Sequence, residues 1–196
     1  MDKNYYISDL HFGHYNVIRF DNRPYNSVEE MDKALIDNWN GVVDKEDTVY
    51  ILGDFCWQTE DRWYEILKQL KGNKVLIRGN HDLKHMSQQL RNMFQDIKDY
   101  KEVKDNGKRV ILSHYPMPFY RGAYNDGIIH LYGHIHTTIE NDFMEHLREY
   151  IPRNDNRGMS QHRCNFYNVG CMLPYMNYTP RTLDEILEAN RHNKTY

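Results

Sequence analysis

Short apolar runs alternate with stretches of helical periodicity along most of the chain. Residues 4–8, 48–52, 74–78 and 128–132 (NYYIS, TVYIL, KVLIR and IIHLY) have the length and the β-branched or aromatic content of buried strands. One more strand is expected over 163–169. Asn106-Gly107 lies between YKEVK and KRVILS and predicts a tight hairpin turn. Met31, Leu35 and Trp39 fall on one side of a helix expected over 27–39, opened by Ser27 and Glu30 as a capping box. Trp63, Ile66, Leu67 and Leu70, spaced i, i+3, i+4 and i+7, predict a helix over 59–71. A helix is expected over 83–94, and Thr182 with Glu185 opens a final one. The stretch 137–162 is read as a helix from Phe143 to Tyr150 and then a polar loop, RNDNRGMSQHR. Strands alternating with helices predict an α/β fold, with the hairpin adding antiparallel pairing. No repeat or compositional break divides the chain, so one domain over 1–196 is expected.

Composition narrows the function classes. A length of 196 residues suits one domain with a real core. Lys plus Arg is 25 and Asp plus Glu is 28, a formal charge of −3, which disfavours a nonspecific nucleic-acid coat. No run approaches 18 apolar residues, so no membrane span is expected. The opening MDKNYYISDL lacks an apolar signal-peptide core. Cys56, Cys164 and Cys171 are odd in number and form no C-x-x-C, which reads as reduced thiols and a cytoplasmic protein.

The candidate chemistry sits at the ends of the strands. Asp9, Asp54, Asn80, His114 and His134 each fall within about two residues of a predicted strand end, where open α/β sheets bind ligands. His11 and His136 lie two residues beyond the first and last of these. Carboxylate, imidazole and amide oxygen together suit first-row divalent metals, and no thiolate joins them. A lone aspartate after a strand is usually a turn or cap residue, so the weight rests on the combination. With 11 Gly and 11 His in 196 residues, G-H-x-H is expected by chance about 0.03 times.

In order along the chain stand Asp9-Leu10-His11, Gly53-Asp54, Gly79-Asn80-His81-Asp82, a lone His114 and Gly133-His134-Ile135-His136. At these residues the chain resembles the calcineurin-like metallophosphoesterases, over residues 5 to 136. DLHFGHYN and RPY resemble a small bacterial or phage-borne subgroup. The resemblance implies a four-layer α/β/β/α sandwich with two divalent ions at one edge. One would be held by Asp9, His11, Asp54 and His136, the other by Asp54, Asn80, His114 and His134, with Asp54 bridging. Manganese is the first expectation, with iron, zinc, nickel or magnesium as alternatives. Two such ions sharing a hydroxide would hydrolyse a phosphodiester or phosphomonoester and leave the local charge positive despite the overall −3.

Further roles follow from the same resemblance. His81 would be a general acid or would stabilise charge on the phosphoryl group. Some members carry an Asp three residues after the bridging one to orient this histidine, whereas position 57 here is Trp. Asp82 or a backbone carbonyl is the candidate substitute. Arg23, Arg78, Arg121 and His14 are candidate substrate contacts, the arginines as planar phosphate clamps. The expected partner is a small phosphate ester. Two other readings are a non-catalytic protein-binding scaffold and a nuclease whose Arg148, Arg153, Arg157 and Arg163 line a groove.

Overall fold

A computed structural model describes residues 2–153 and 164–191. In chain order its elements are β1 (Asn4–Ile7), α1 (Tyr15–Phe20), α2 (Val28–Val42), β2 (Thr48–Ile51), α3 (Glu60–Leu67), β3 (Asn73–Ile77), α4 (Gln88–Arg91) and β4 (Asp96–Lys98). There follow β5 (Tyr100–Asp105), β6 (Lys108–Ser113), β7 (Ile128–Tyr132), α5 (Ile139–Arg153), β8 (Phe166–Asn168), β9 (Arg181–Thr182) and α6 (Leu183–Ala189). The strands form two sheets, in the orders β4-β3-β2-β1-β9 and β5-β6-β7-β8. β1 to β4 pair in parallel and β9 adds antiparallel. In the second sheet β6, β7 and β8 are parallel, while β5 and β6 form the predicted hairpin across Asn106-Gly107.

Strand alternation builds the layers. Val110, Leu112, Ile129 and Leu131 turn one way and join Ile7, Ile51 and Leu76 in the main core. Ile111, Tyr132 and Phe166 turn the other way and pack with Met144 of α5. Met31, Leu35 and Trp39 of α2, with Trp63, Ile66 and Leu67 of α3, cover the outer face of the first sheet. The result is the expected α/β/β/α sandwich. Trp39 and Trp63 are fully buried, and each indole N–H finds a carbonyl, Lys71 O at 3.0 Å and Cys56 O at 3.1 Å.

The elements differ from expectation in several places. The helix expected over 83–94 shrinks to Gln88–Arg91, because the chain on either side is tied down. Asp82 is held by backbone amides, the Ser87 amide donates to Glu60, and the Gln95 amide donates to Lys74 O to begin β4. α3 stops at Leu67, short of residue 71. α5 is longer than the expected 143–150. α1, β4 and β9 have no strong periodicity and went unpredicted. Thr182 and Glu185 make the full capping box. At α2 the Ser27 hydroxyl accepts the Glu30 amide, but the Glu30 carboxylate accepts from Asn26 instead of closing the box. Nearly all of the predicted polar loop after α5 lies outside the described residues.

Candidate metal centre

Parallel pairing sends the C-terminal ends of β1, β2 and β3 to one edge of the first sheet, and those of β6 and β7 to one edge of the second. The two edges are stitched together. The Ser8 amide donates to Val169 O and the Cys171 amide to Ser8 O, both at 2.9 Å. Asp9, Asp54, Asn80, His114 and His134 follow these five strands, so the packing of the sheets gathers them at one place. The backbone there is unusual. Asp9, His11, Asp54, His134 and His136 all adopt the left-handed region, at φ 55°, 52°, 52°, 74° and 46°. Each such residue costs about 1–3 kcal/mol, and such strain collects at functional sites. The motif glycines allow close approach. A Cβ at Gly79 would stand 2.3 Å from Asp54 Oδ1, and one at Gly133 would stand 2.5 Å from Asp9 Oδ2.

The seven expected ligands lie together. Asp9, His11 and His136 form one group able to hold an ion, and Asp9, Asp54 and His114 another. His11 Nε2 is 3.3 Å from His136 Nε2 and 3.6 Å from Asp54 Oδ2. Asp54 Oδ2 is also 3.7 Å from His114 Nε2, so this carboxylate stands between two sets of imidazoles. His114 Nε2 is 3.0 Å from Asn80 Oδ1. His134 lies at the rim, its ring 5.0 Å from that of His114, and its amide donates to both oxygens of Asp9.

The far nitrogens of the imidazoles fix their tautomers. His114 Nδ1 is 2.8 Å from Leu52 O, so it carries the proton and Nε2 offers its lone pair to the cluster. His136 Nδ1 is 2.7 Å from Asp21 Oδ1, with the same result. Burial, assisted by the Arg23 charge, holds His11 well below the ordinary histidine range. Burial and His114 lower His134. Burial opposes protonation of His136 too, but the Asp21 hydrogen bond and the Asp9 and Asp21 charges outweigh it and raise this group. Burial raises Asp54, with His114 opposing and Asp9 adding to the rise.

His81 stands at the open side. Its amide donates to Asp54 Oδ1 at 2.9 Å. Its exposed ring lies 4.3 Å from that of Trp57 and 6.0 Å from that of His11.

Other expected site residues serve differently. Asp82 does not reach the His81 ring. Its carboxylate accepts the amides of Asp54, Phe55 and Gly79 at 3.1, 2.8 and 2.7 Å, so it braces the loops that carry the ligands. Arg23 is buried and its donors are spent inside the protein. They reach Asp9 O and Leu10 O, both at 2.8 Å, and Asp21 Oδ2 at 2.9 and 3.0 Å. It supports the first motif and is not free to clamp phosphate. Arg78 is paired bidentately with the exposed Asp99. Arg121 is exposed and its charge acts on Tyr100. His14 lies beside the centre, 5.6 Å from the His11 ring and stacked on Trp57. Of the proposed groove, Arg148 is bound to Glu145 and Asn190 and stacks on Tyr167, and Arg153 is the last residue of α5. Arg157 and Arg163 lie outside the described residues. Asp21 was missed, because an aspartate two residues before an arginine in a turn carries no distinguishing spacing. The three cysteines are free and buried.

Comparison with known proteins agrees with this geometry. The model of the calcineurin-like phosphoesterase superfamily domain matches residues 3–182. An uncharacterized protein of Methanocaldococcus jannaschii is 35% identical over 196 residues, covering 99% of this chain and 94% of its own. The gene 66 protein of Mycobacterium phage D29 is 30% identical over 177 residues, covering 76% and 86%. A crystal structure of a protein of unknown function from Aquifex aeolicus shares the fold at a TM-score of 0.61 and 27% identity, covering 96% and 100%. No helix among the described residues is long and apolar enough to cross a membrane. A family model spanning nearly the whole chain, found where the ligand motifs converge, places this protein in the calcineurin-like phosphoesterase superfamily.

Proposed function

We propose that this protein is a binuclear-metal-dependent phosphoesterase that hydrolyses a small phosphodiester or phosphomonoester. One observation carries the reading. Two buried carboxylates and three imidazole nitrogens crowd within 3.3–3.7 Å contacts where the edges of the two sheets meet. Such a cluster is costly in a low-dielectric interior unless a cation joins it. The donor set fits divalent ions. Asp9, His11, Asp54 and His136 would hold one, and Asp54, Asn80, His114 and His134 the other, with manganese the first candidate. Bound there, the ions would supply an activated water and offset charge on the phosphoryl oxygens.

The rest of the work falls to the chain. Leu52 O and Asp21 keep the lone pairs of His114 and His136 turned inward. Asp82 and Arg23 fix the ligand loops through backbone atoms. His81 offers a proton to the leaving oxygen from the open side. The test is hydrolysis of chromogenic mono- and diesters with added Mn²⁺. We expect turnover that chelation removes and that Asp54→Ala abolishes. No turnover with any divalent ion, or turnover unchanged in Asp54→Ala, refutes the proposal.

A further inference from the structure

A general acid must point at its leaving group, and among the described residues no hydrogen bond fixes the His81 ring. The nearby carboxylate, Asp82, is spent on three backbone amides. What lies against the imidazole is the Trp57 indole, at 4.3 Å between ring centroids and tilted by 47°. We propose that Trp57 is the positioning residue for His81, its aromatic face setting the direction of the imidazole in place of an acceptor. The proposal rests on the phosphoesterase reading above.

Trp57 is itself firmly placed. Its amide donates to Phe12 O at 2.9 Å, and Phe12 and Cys56 form an isolated bridge. Gln58 Nε2 donates to Gly13 O at 2.8 Å. The Gly13 amide donates to Asp32, which Arg62 holds from the other side. The chain at 11–14 therefore runs beside 55–58, and this brings His14 flat onto the indole at 4.2 Å and 7°. Among the described residues, buried His14 Nδ1 has no hydrogen-bond partner, and its side chain does not cap α1, so ring contact is what its placement achieves. Trp57 remains 42% exposed, so core burial does not account for its position. His14, Trp57 and His81 make a ladder of three rings alongside His11, with His81 on the open side.

In the step concerned, the P–O bond to the leaving group breaks with its electron pair on oxygen. A proton from the His81 ring ends on that oxygen. Water forms the new P–O bond, and the proton it releases restores the ring through solvent.

The experiment compares an alkyl phosphoester with the p-nitrophenyl ester, whose leaving group needs no proton, using the Mn²⁺-loaded protein. Displacing a catalytic group by about 1 Å costs up to about 100-fold. We expect Trp57→Ala to lower kcat on the alkyl ester about 10- to 100-fold, with KM nearly unchanged. The p-nitrophenyl ester should lose far less, and Trp57→Phe, which keeps a ring, should lose less than Trp57→Ala on the alkyl ester. Calorimetric Mn²⁺ binding by Trp57→Ala should match wild type. In NMR spectra of the metal-free protein, the His81 ring protons should be shifted upfield by the indole and return on its removal. Equal losses on both esters, no loss on either, or ordinary His81 shifts in wild type overturn the proposal. The wild-type shifts decide even where Trp57→Ala fails to fold. Hydrolysis that requires His81 but ignores Trp57 sinks this proposal alone, whereas a wild type inactive with every divalent ion sinks the phosphoesterase reading as well.

Discussion

Asp21→Asn should separate metal binding from the ligands that touch metal. The Asp21 carboxylate serves two groups at once, the buried Arg23 and the half-buried His136. Oδ1 accepts His136 Nδ1–H at 2.7 Å, and Oδ2 accepts Arg23 Nε and Nη2 at 3.0 and 2.9 Å. An asparagine is nearly isosteric but has one acceptor and one donor side. With its oxygen toward His136, its NH₂ meets the Arg23 guanidinium, donor against donor, inside the protein. With its oxygen toward Arg23, its NH₂ faces His136 Nδ1, which must then give up its proton. The proton moves to Nε2, and the lone pair proposed to hold metal is lost. Either orientation damages the centre. Loss of an outer hydrogen-bond partner lowers metal affinity about 10- to 100-fold, about 1.4–2.7 kcal/mol. The Arg23 side chain is fully buried in this pair, and breaking a buried pair costs about 3–5 kcal/mol. The variant should therefore bind Mn²⁺ at least tenfold more weakly in calorimetry and also unfold at lower urea. Wild-type affinity together with a wild-type unfolding midpoint would refute the argument, because neither orientation of the amide then carries a cost.

Further outcomes follow from other sites. Gly79→Ala places a Cβ 2.6 Å from the Asp54 amide nitrogen as well as 2.3 Å from its carboxylate, so calorimetric metal binding should be lost while Gly41→Ala, with nothing within 4 Å, binds as wild type. Gly41 lies in α2, and the alanine should add about 0.5–1 kcal/mol in urea unfolding; a destabilised variant would contradict this. His130 accepts the Met117 amide at 3.1 Å, lies 3.2 Å from Ile111 O, and is held by burial at a pKa of about 4. Its folded pKa is below the unfolded value of 6.5, so its contribution is complete above about pH 6.5 and is lost as pH falls toward 4, about 3 kcal/mol in all. His130→Gln should flatten that slope between pH 7 and pH 4.5, and a parallel slope would exclude His130 as its source. Metal affinity should also decline in acid as protons compete for the imidazoles, the raised His136 among them. Affinity constant from pH 7.5 to pH 5 would contradict it.

What the chain reveals before folding depends on how far apart the cooperating residues lie. Asp9, Asp54, Asn80, His114 and His134 each terminate a local element, so residue type and strand end together expose them one at a time. The hairpin at Asn106-Gly107 and the capping box at Thr182 are local for the same reason. The residues that aim this set are different. Asp21 meets His136 across 115 positions, and Asp82 meets the Asp54 and Phe55 amides across 28 and 27. Neither pair has a spacing to recognise, because the contact exists only after β1, β2 and β3 are laid side by side and the second sheet is docked. Asp82 shows the hazard: adjacent to His81 in sequence, it suggests a proton partner, yet the close approach of Gly79 to Asp54 turns its carboxylate toward backbone amides. The same tether explains the lost helix at 83–94, where Met86, Leu90 and Met93 carry helical spacing but the chain is fixed at Asp82, Ser87 and Gln95. Periodicity proposes a helix, and anchored ends veto it. The groups proposed to bind metal are therefore written in the sequence as types, while the groups that orient them are written as distances between sheets, and only the first kind can be read along the chain.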